Sequence, residues 1–396
     1  MEPLRVAVIG GSLGGLTAAC LLRDAGHQVN VYERSPIELE QRGAGIGFLK
    51  ASYRYLVERA GIHLDDISIA TDHILYLSRN DKIVHNTHHP YRFSSWNTVY
   101  EHLIDSFGRD RYHLDRSVTS VTNEQDSISI DFEGGSREAA DLVVAADGIR
   151  STVRSQFHPD ISSEYSGYVA WRGTVPEREL PPEVIERLGN AITYHVFANS
   201  HILMYPIPAL DGSVTTGERL FNFVWYRNYL ESGDLDDLMT DATGEFRSIS
   251  VPPGLVARHH VEEMRATARA RLPESLSSIV MAVAEPFLQV VYDIAVPRMR
   301  HGRVCLIGDA AFAVRPHAAA GTAKAAEDAW ALDRCLNSST SLDDALAAWE
   351  HQQLALGNSL LERTRSIGAR SQFDNSWEPG DADLIFGLHG PGDPEP

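Results

Sequence analysis

Cysteine is scarce in this chain: three among 396 residues, at positions 20, 305 and 335. Three is odd, and the spacing matches neither a disulfide framework nor a zinc site. Cys20 and Cys305 lie in apolar runs and read as small buried hydrophobes. That usage fits a reducing cytoplasm. No run of 18 or more apolar residues exists either, so no membrane span is expected. The apolar stretch from Val6 to Leu22 is not a secretion signal, because four glycines interrupt it and no multi-basic segment precedes it. Internal repeats and low-complexity tracts are missing. Positive charge is also short: 35 basic residues face 54 acidic ones, a formal net charge of -19. So acidic a surface repels phosphate backbones and anionic lipid, which excludes nucleic acid and membranes as partners. Among the 17 histidines, His88-His89 and His259-His260 are adjacent pairs, but no carboxylate-and-histidine constellation has metal-ligand spacing. They read as surface residues, and no metal is expected.

A hydrophobic fraction of 43% with 22% charged residues is that of a folded globular protein. The length accommodates two or three domains. Leu4–Ile9 reads as a buried strand, Leu13–Ala25 as a helix ended by Gly26, and Val29–Tyr32 as the next strand. This unit opens a doubly wound α/β domain. Two more short apolar strands, Asp141–Ala146 and Arg303–Ile307, end in Asp147-Gly148 and Gly308-Asp309. Between them, Tyr168–Val175, Ile192–Phe197, Ile202–Ile207 and Leu220–Tyr226 are β-rich and aromatic. They predict an antiparallel sheet inserted into the first domain. The fold class is therefore an α/β composite: a doubly wound domain over 1–71, 96–164 and 288–396, and an inserted substrate domain over 72–95 and 165–287. The Ala-rich stretch Ala318–Leu332 is helical by propensity, and Ser341 can cap a long helix running to about Arg370.

Three motifs carry chemistry. Gly10-Gly11-Ser12-Leu13-Gly14-Gly15 follows the first strand, and Glu33 ends the second. Such a turn places a pyrophosphate at a helix N-terminus, where free N–H groups and the helix dipole favour anions. Glu33 is spaced to accept a hydrogen bond from an adenosine ribose. The middle glycine of the usual pattern is Ser12. The second motif is Asp147-Gly148-Ile149-Arg150-Ser151-Thr152-Val153-Arg154. The third is Gly308-Asp309-Ala310-Ala311, followed by Arg315-Pro316-His317-Ala318-Ala319-Ala320-Gly321.

In this order and at these separations, the three motifs resemble the flavoprotein aromatic hydroxylases of the para-hydroxybenzoate hydroxylase type. The resemblance spans nearly the whole chain. It implies a Rossmann-like FAD-binding domain, FAD as cofactor, and NADH or NADPH as electron donor. Gly10, Ser12, Leu13, Gly14, Glu33 and Arg34 would hold the adenosine half of FAD. Gly45 and Ile46 would join them along the cofactor. Asp147 would sit near the pyrophosphate and the nicotinamide approach. Gly308 and Asp309 would meet the ribityl chain. Ala319, Ala320, Gly321 and Thr322 would lie beside the flavin pyrimidine edge, where a helix N-terminus faces an anionic reduced flavin. A closer likeness to pyridine-hydroxylating members rests on Gly167-Tyr168-Val169, Trp171-Arg172-Gly173, Tyr205-Pro206-Ile207-Pro208, Arg315–Gly321 and Phe386-Gly387-Leu388. Three positions depart from the family: Phe312 replaces a usual histidine, Ala319 a usual glycine, and Trp96 an arginine common in relatives.

The activity implied is monooxygenation of an electron-rich hydroxylated aromatic or heteroaromatic ring, a dihydroxypyridine, by oxygen and NAD(P)H through a flavin 4a-hydroperoxide. His317 is the candidate to bind or deprotonate a ring hydroxyl, because histidine titrates near neutrality and deprotonation activates the ortho carbon; the alternative is that it hydrogen-bonds a backbone group at a helix start. Tyr194, Tyr205, Trp225 and Tyr226 are expected at the pocket beside it. The expected partners are the small aromatic substrate, oxygen and a second copy in a homodimer. Alternatives are a halogenase or reductase on the same scaffold, or a flavin-binding regulator without turnover. The Trp-x-Trp-x-Ile-Pro halogenase signature is absent, and steady oxygen consumption with substrate separates an enzyme from a regulator.

Overall fold

A computed structural model describes residues 2–39 and 45–392. The outermost residues of the first and last sequence segments proposed above, and residues 40–44, lie outside them. The β-branched run Arg5–Ile9 forms the centre of a six-stranded sheet. From one edge its order is Arg300–His301, Val304–Leu306, Leu142–Ala145, Arg5–Ile9, Gln28–Tyr32 and Tyr112–His113. All neighbours run parallel except the first pair, which is a hairpin. Parallel strands buried on both faces require near-continuous apolar runs, and these strands have them. Because the strands point the same way, all three motifs leave the same edge of the sheet. In open α/β sheets, that carboxyl edge is where ligands bind.

The first turn is sharp. Gly10 has φ +100°, and a Cβ there would lie 2.4 Å from the Ala146 carbonyl oxygen, so the loop following the Leu142–Ala145 strand presses on it. The helix Leu13–Asp24 starts immediately and packs across the sheet beside the helix Gly321–Ser338. That second helix buries an ion pair: Lys324 Nζ lies 2.5 Å from Asp328 Oδ1, and both side chains are almost fully inaccessible. Asp328 Oδ2 also accepts from the Gly308 N–H at 2.9 Å. The pair thus ties the helix to the turn that begins the third motif. A capped helix, Leu342–Gln372, begins at Ser341, whose side chain accepts from the Asp344 N–H.

A second, larger sheet runs in the order Ser250–Val251, Phe287–Ala295, Glu164–Pro176, Leu220–Asn228, Ser200–Ile207, Ala191–Phe197, Ile69–Leu77, Ile83–Ser95, Gly45–Gly47. It is antiparallel except where Ala191–Phe197 meets Ile69–Leu77. It draws in strands from both sides of the expected segment boundaries. Phe287–Ala295 pairs with Glu164–Pro176, so the large sheet continues past residue 287. Gly45–Gly47 pairs with Phe93–Ser95 and also belongs to it. A small three-stranded sheet, Val118–Asn123, Ile128–Phe132 and Arg137–Ala140, covers the side of the first domain. All three cysteines are buried and unpaired. Burial pushes the Cys20 thiol up to about 12, so it is inert at neutral pH.

Candidate active site

Between the two large sheets lies a cavity of about 410 Å³. One wall comes from the turns at the carboxyl edge of the parallel sheet: Ser12, Leu13, Gly14, Gly148, Ile149, Gly308 and Asp309. The other comes from one face of the large sheet: Ala170, Arg172, Leu203, Tyr205, Val224, Tyr226, Gln289 and Val291. Gly45–Gly47 and the segment Pro316, Ala319, Gly321, Thr322 close it between them, with Trp96 and Phe386 at its margins.

The first wall suits a long anionic, hydroxylated cofactor. The helices Leu13–Asp24 and Gly321–Ser338 both open onto it at their N-termini, and neither carries a side-chain cap. Their free N–H groups therefore face the cavity, as an anion site requires. Asp309 projects into the cavity and is exposed to its open space. Its carboxylate accepts no hydrogen bond from the described residues. The protein mass around the cavity disfavours the charged form and pushes its pKa up to about 6, against the opposing charges of Arg154 and Lys324. A carboxylate aimed into the cavity with no protein donor is free to accept from ligand hydroxyls. Arg154 fixes the turn from behind, its guanidinium donating to the carbonyls of Ile149, Asp309 and Ala310.

Backbone approach is close at the middle of the cavity. A Cβ on Gly45 would meet the Tyr205 ring at 2.6 Å, and one on Gly47 would meet the Ala319 Cβ at 2.5 Å. Ala319 takes the left-handed conformation that favours glycine, φ 54° and ψ 23°. Alanine there costs roughly 1–2 kcal/mol. FAD fits this arrangement of two anion-binding helix ends, one open carboxylate and a flat glycine-lined slot.

Of the residues expected to hold the cofactor, Ser12, Leu13, Gly14, Gly45, Ile46, Gly308, Asp309, Ala319, Gly321 and Thr322 line the cavity. The others stand behind it. Gly10 shapes the turn, and Ala320 is buried as the cap of the helix that follows. Glu33 is buried and accepts from the N–H groups of Gly11 and Ser35, both at 2.9 Å, so it braces the glycine turn. Arg34 is exposed. Asp147, expected near the pyrophosphate and the nicotinamide approach, stands just behind the cavity wall between Ala146 and Gly148. Its carboxylate accepts from Ser151 Oγ at 2.6 Å and the Val153 N–H at 3.3 Å. It braces Ser151, the N-cap of the helix Thr152–Phe157, and burial raises its pKa.

The substrate-side expectations divide by sheet geometry. Tyr205 and Tyr226 face the cavity. Trp225 does not, because neighbouring strand residues point to opposite faces. It packs into the core behind the sheet and donates to Ser200 Oγ at 2.9 Å. Tyr194 is on the correct face but further along, stacked on Tyr76 at 5.0 Å and covered by Trp377. His317 is the main correction. Its neighbours Pro316 and Ala319 line the cavity, but the imidazole turns away from it into a buried cluster with Tyr168, His201 and Tyr226. Nε2 is hydrogen-bonded to the Tyr168 hydroxyl at 2.7 Å, and the ring abuts Gly368 of the long helix. Burial, reinforced by His201 and Arg315, holds it neutral, its pKa well below 6.5. Sequence reasoning passed over Arg172 and Gln289. An arginine within the apolar run Tyr168–Val175 was the available signal for the first, and Gln289 offered none. Away from the cavity, His260 Nε2 lies 3.2 Å from Asp237 Oδ2 at the surface, beside His259.

Comparison with known proteins agrees with this geometry. Residues 8–37 match the NAD(P)-binding Rossmann-like domain family, and residues 165–293 the FAD binding domain-like family. The chain is 37% identical to 2,6-dihydroxypyridine 3-monooxygenase of Paenarthrobacter nicotinovorans, over 97% of this chain and 96% of that protein. It is 26% identical to 6-hydroxynicotinate 3-monooxygenase of Bordetella bronchiseptica, over 94% and 91%. The solved 2,6-dihydroxypyridine-3-hydroxylase from Arthrobacter nicotinovorans superposes with a TM-score of 0.93 at 36% identity, covering 100% of this chain and 99% of that one.

Proposed function

The chain belongs to the FAD-dependent aromatic monooxygenases, which draw electrons from NADH or NADPH, and on that premise we propose that it hydroxylates a dihydroxypyridine next to an existing ring hydroxyl. One observation carries this reading. The stretches shared with the pyridine hydroxylases supply Arg172, Tyr205, Pro316, Ala319, Gly321 and Phe386 to the cavity wall. Likeness to the dihydroxypyridine enzyme over 97% of this chain supports the same reading.

FAD, when bound, supplies the electron acceptor for NAD(P)H and the site of oxygen activation. The protein's part is to bind, orient and exclude water. Ser12, Leu13 and Gly14 present helix N–H groups to the pyrophosphate. Asp309 accepts from ribityl hydroxyls. Gly45, Gly47 and Ala319 let the backbone approach the ring system, and the helix end at Gly321 and Thr322 stabilises negative charge there. Leu203, Val224, Val291 and Phe386 keep the far wall dry, which limits wasteful decay of activated oxygen. Tyr205 and Tyr226 flank the aromatic ring. A cytoplasmic location and a homodimer belong to this reading. Three buried free thiols support the location, and analytical ultracentrifugation tests the assembly.

The test is a panel of pyridine diols and simple phenols. Each is scored by acceleration of NAD(P)H oxidation and by recovery of a product with one added oxygen. A pyridine diol giving both is the expected result. A protein that ignores every pyridine and couples with a carbocyclic phenol overturns the substrate and leaves the hydroxylase standing.

A further inference from the structure

The substrate wall carries a cation that no carboxylate of the described residues balances. Arg172 donates from Nη2 to the Gly45 carbonyl at 2.7 Å and from Nη1 to Gln289 Oε1 at 3.0 Å. Its Nε is buried and has no acceptor. The groups facing it are the Gly45 carbonyl, Tyr205 and Tyr226 from adjacent strands, and Gln289 and the Phe287 ring from Phe287–Ala295. Every one is neutral at neutral pH. Burial pushes the Tyr205 hydroxyl up to about 12 even with Arg172 beside it. A guanidinium held among neutral partners is incompletely compensated, and a planar anion reaching it from the cavity it lines would complete it.

The same wall offers no base. Among the described residues lining the cavity, the titratable ones are Arg172, Tyr205, Tyr226, Tyr292 and Asp309. The tyrosines stay protonated, and Asp309 stands on the opposite wall. His317 faces elsewhere.

We propose that Arg172, held by Gln289 and Gly45, is an anion-binding site that takes the substrate already ionised at a ring hydroxyl, leaving that proton in solvent. The inference rests on the dihydroxypyridine reading and deepens it. In chemical terms the O–H bond of the ring breaks before binding and its proton goes to buffer. No electrons are exchanged in this step. The bound oxyanion keeps the ortho carbon electron-rich, which is the activation otherwise asked of a base.

Calorimetric titration of the holoenzyme tests it, with 2,6-dihydroxypyridine as one probe and 2,6-dimethoxypyridine, which has no hydroxyl proton, as the other. Above the ring hydroxyl's own pKa, Arg172→Gln should weaken the diol by about 10–150-fold, the range for a hydrogen bond to a charged group. The dimethoxy compound should change by less than about threefold, with Arg172→Lys intermediate and flavin absorbance retained in both variants. Equal losses for the two ligands, or no loss for the diol, overturn the proposal. A second measurement needs no variant. The acid limb of kcat/KM for the wild type should move with the ring pKa when a halogen substituent lowers it. A limb fixed at one pH across substrates belongs to a protein group and overturns the proposal. Failure of the wild type to bind any pyridine diol overturns the substrate reading itself, and is distinct from a diol bound equally well in neutral and ionised forms.

Discussion

Asp309→Asn should weaken FAD binding in a pH-dependent way. In the wild-type protein the carboxylate faces the cavity, lacks a donor among the described residues, and has its pKa pushed up to about 6 from 3.8. Hydrogen bonds to an ionised group contribute roughly 1.5–3 kcal/mol, or about 10–150-fold in affinity. At pH 8 the asparagine variant should lose that much. Ligand hydroxyls favour the carboxylate form, so wild-type affinity should fall as pH drops below about 6, by up to about tenfold per unit. The variant should show no such slope. The folding sign is opposite in the apoprotein. An acid whose folded pKa is raised favours the folded state while protonated, so its contribution is lost as pH rises from about 4 to about 6. The assay is quenching of flavin fluorescence as apoprotein is titrated with FAD between pH 5 and 8. Equal affinity of variant and wild type at pH 8, or a flat wild-type profile, refutes the reasoning.

Further outcomes follow from the packing. His317→Ala should lower stability by roughly 2–4 kcal/mol, since it opens a buried space and strands the Tyr168 hydroxyl. The ratio of hydroxylated product to peroxide should stay near the wild-type value, and uncoupling would return the imidazole to the chemistry. Gly47→Ala should cost about 1–3 kcal/mol by driving a methyl against the Ala319 Cβ. Adding Ala319→Gly removes that Cβ and relieves the left-handed strain, so thermal melts of the four proteins should show coupling of at least about 1 kcal/mol. Trp225→Phe should cost about 1 kcal/mol for the lost bond to Ser200 and leave KM unchanged, because the indole faces away from the cavity. A raised KM in that variant would contradict the strand assignment.

Much of the fold is legible locally. The strand, glycine turn, helix and acid of residues 5–33 stand in register because each step is set by near-neighbour chemistry. The four aromatic strands between Tyr168 and Tyr226 read correctly for the same reason, within a few residues at each end. Pairing across the chain is another matter. That Phe287–Ala295 joins the large sheet depends on a partner more than a hundred residues away. Direction is harder still at turns. His317 lies in a short 3₁₀ segment, where one residue's rotation decides whether a ring enters the cavity or the core. Trp225 was decidable, since strand alternation puts it opposite Val224 and Tyr226. Arg172 is visible as the lone charge of the run Tyr168–Val175, but its lack of a carboxylate partner is a three-dimensional fact.

The most direct measurement uses ¹⁸O₂. The purified protein, reconstituted with FAD, is supplied with NAD(P)H and 2,6-dihydroxypyridine under labelled oxygen, and the product is weighed by mass spectrometry. One ¹⁸O atom per product molecule, with NAD(P)H consumed in matching amount, is the expected result. Unlabelled product, or NAD(P)H oxidation that yields only labelled hydrogen peroxide for every pyridine diol and phenol tried, would contradict the account at its centre.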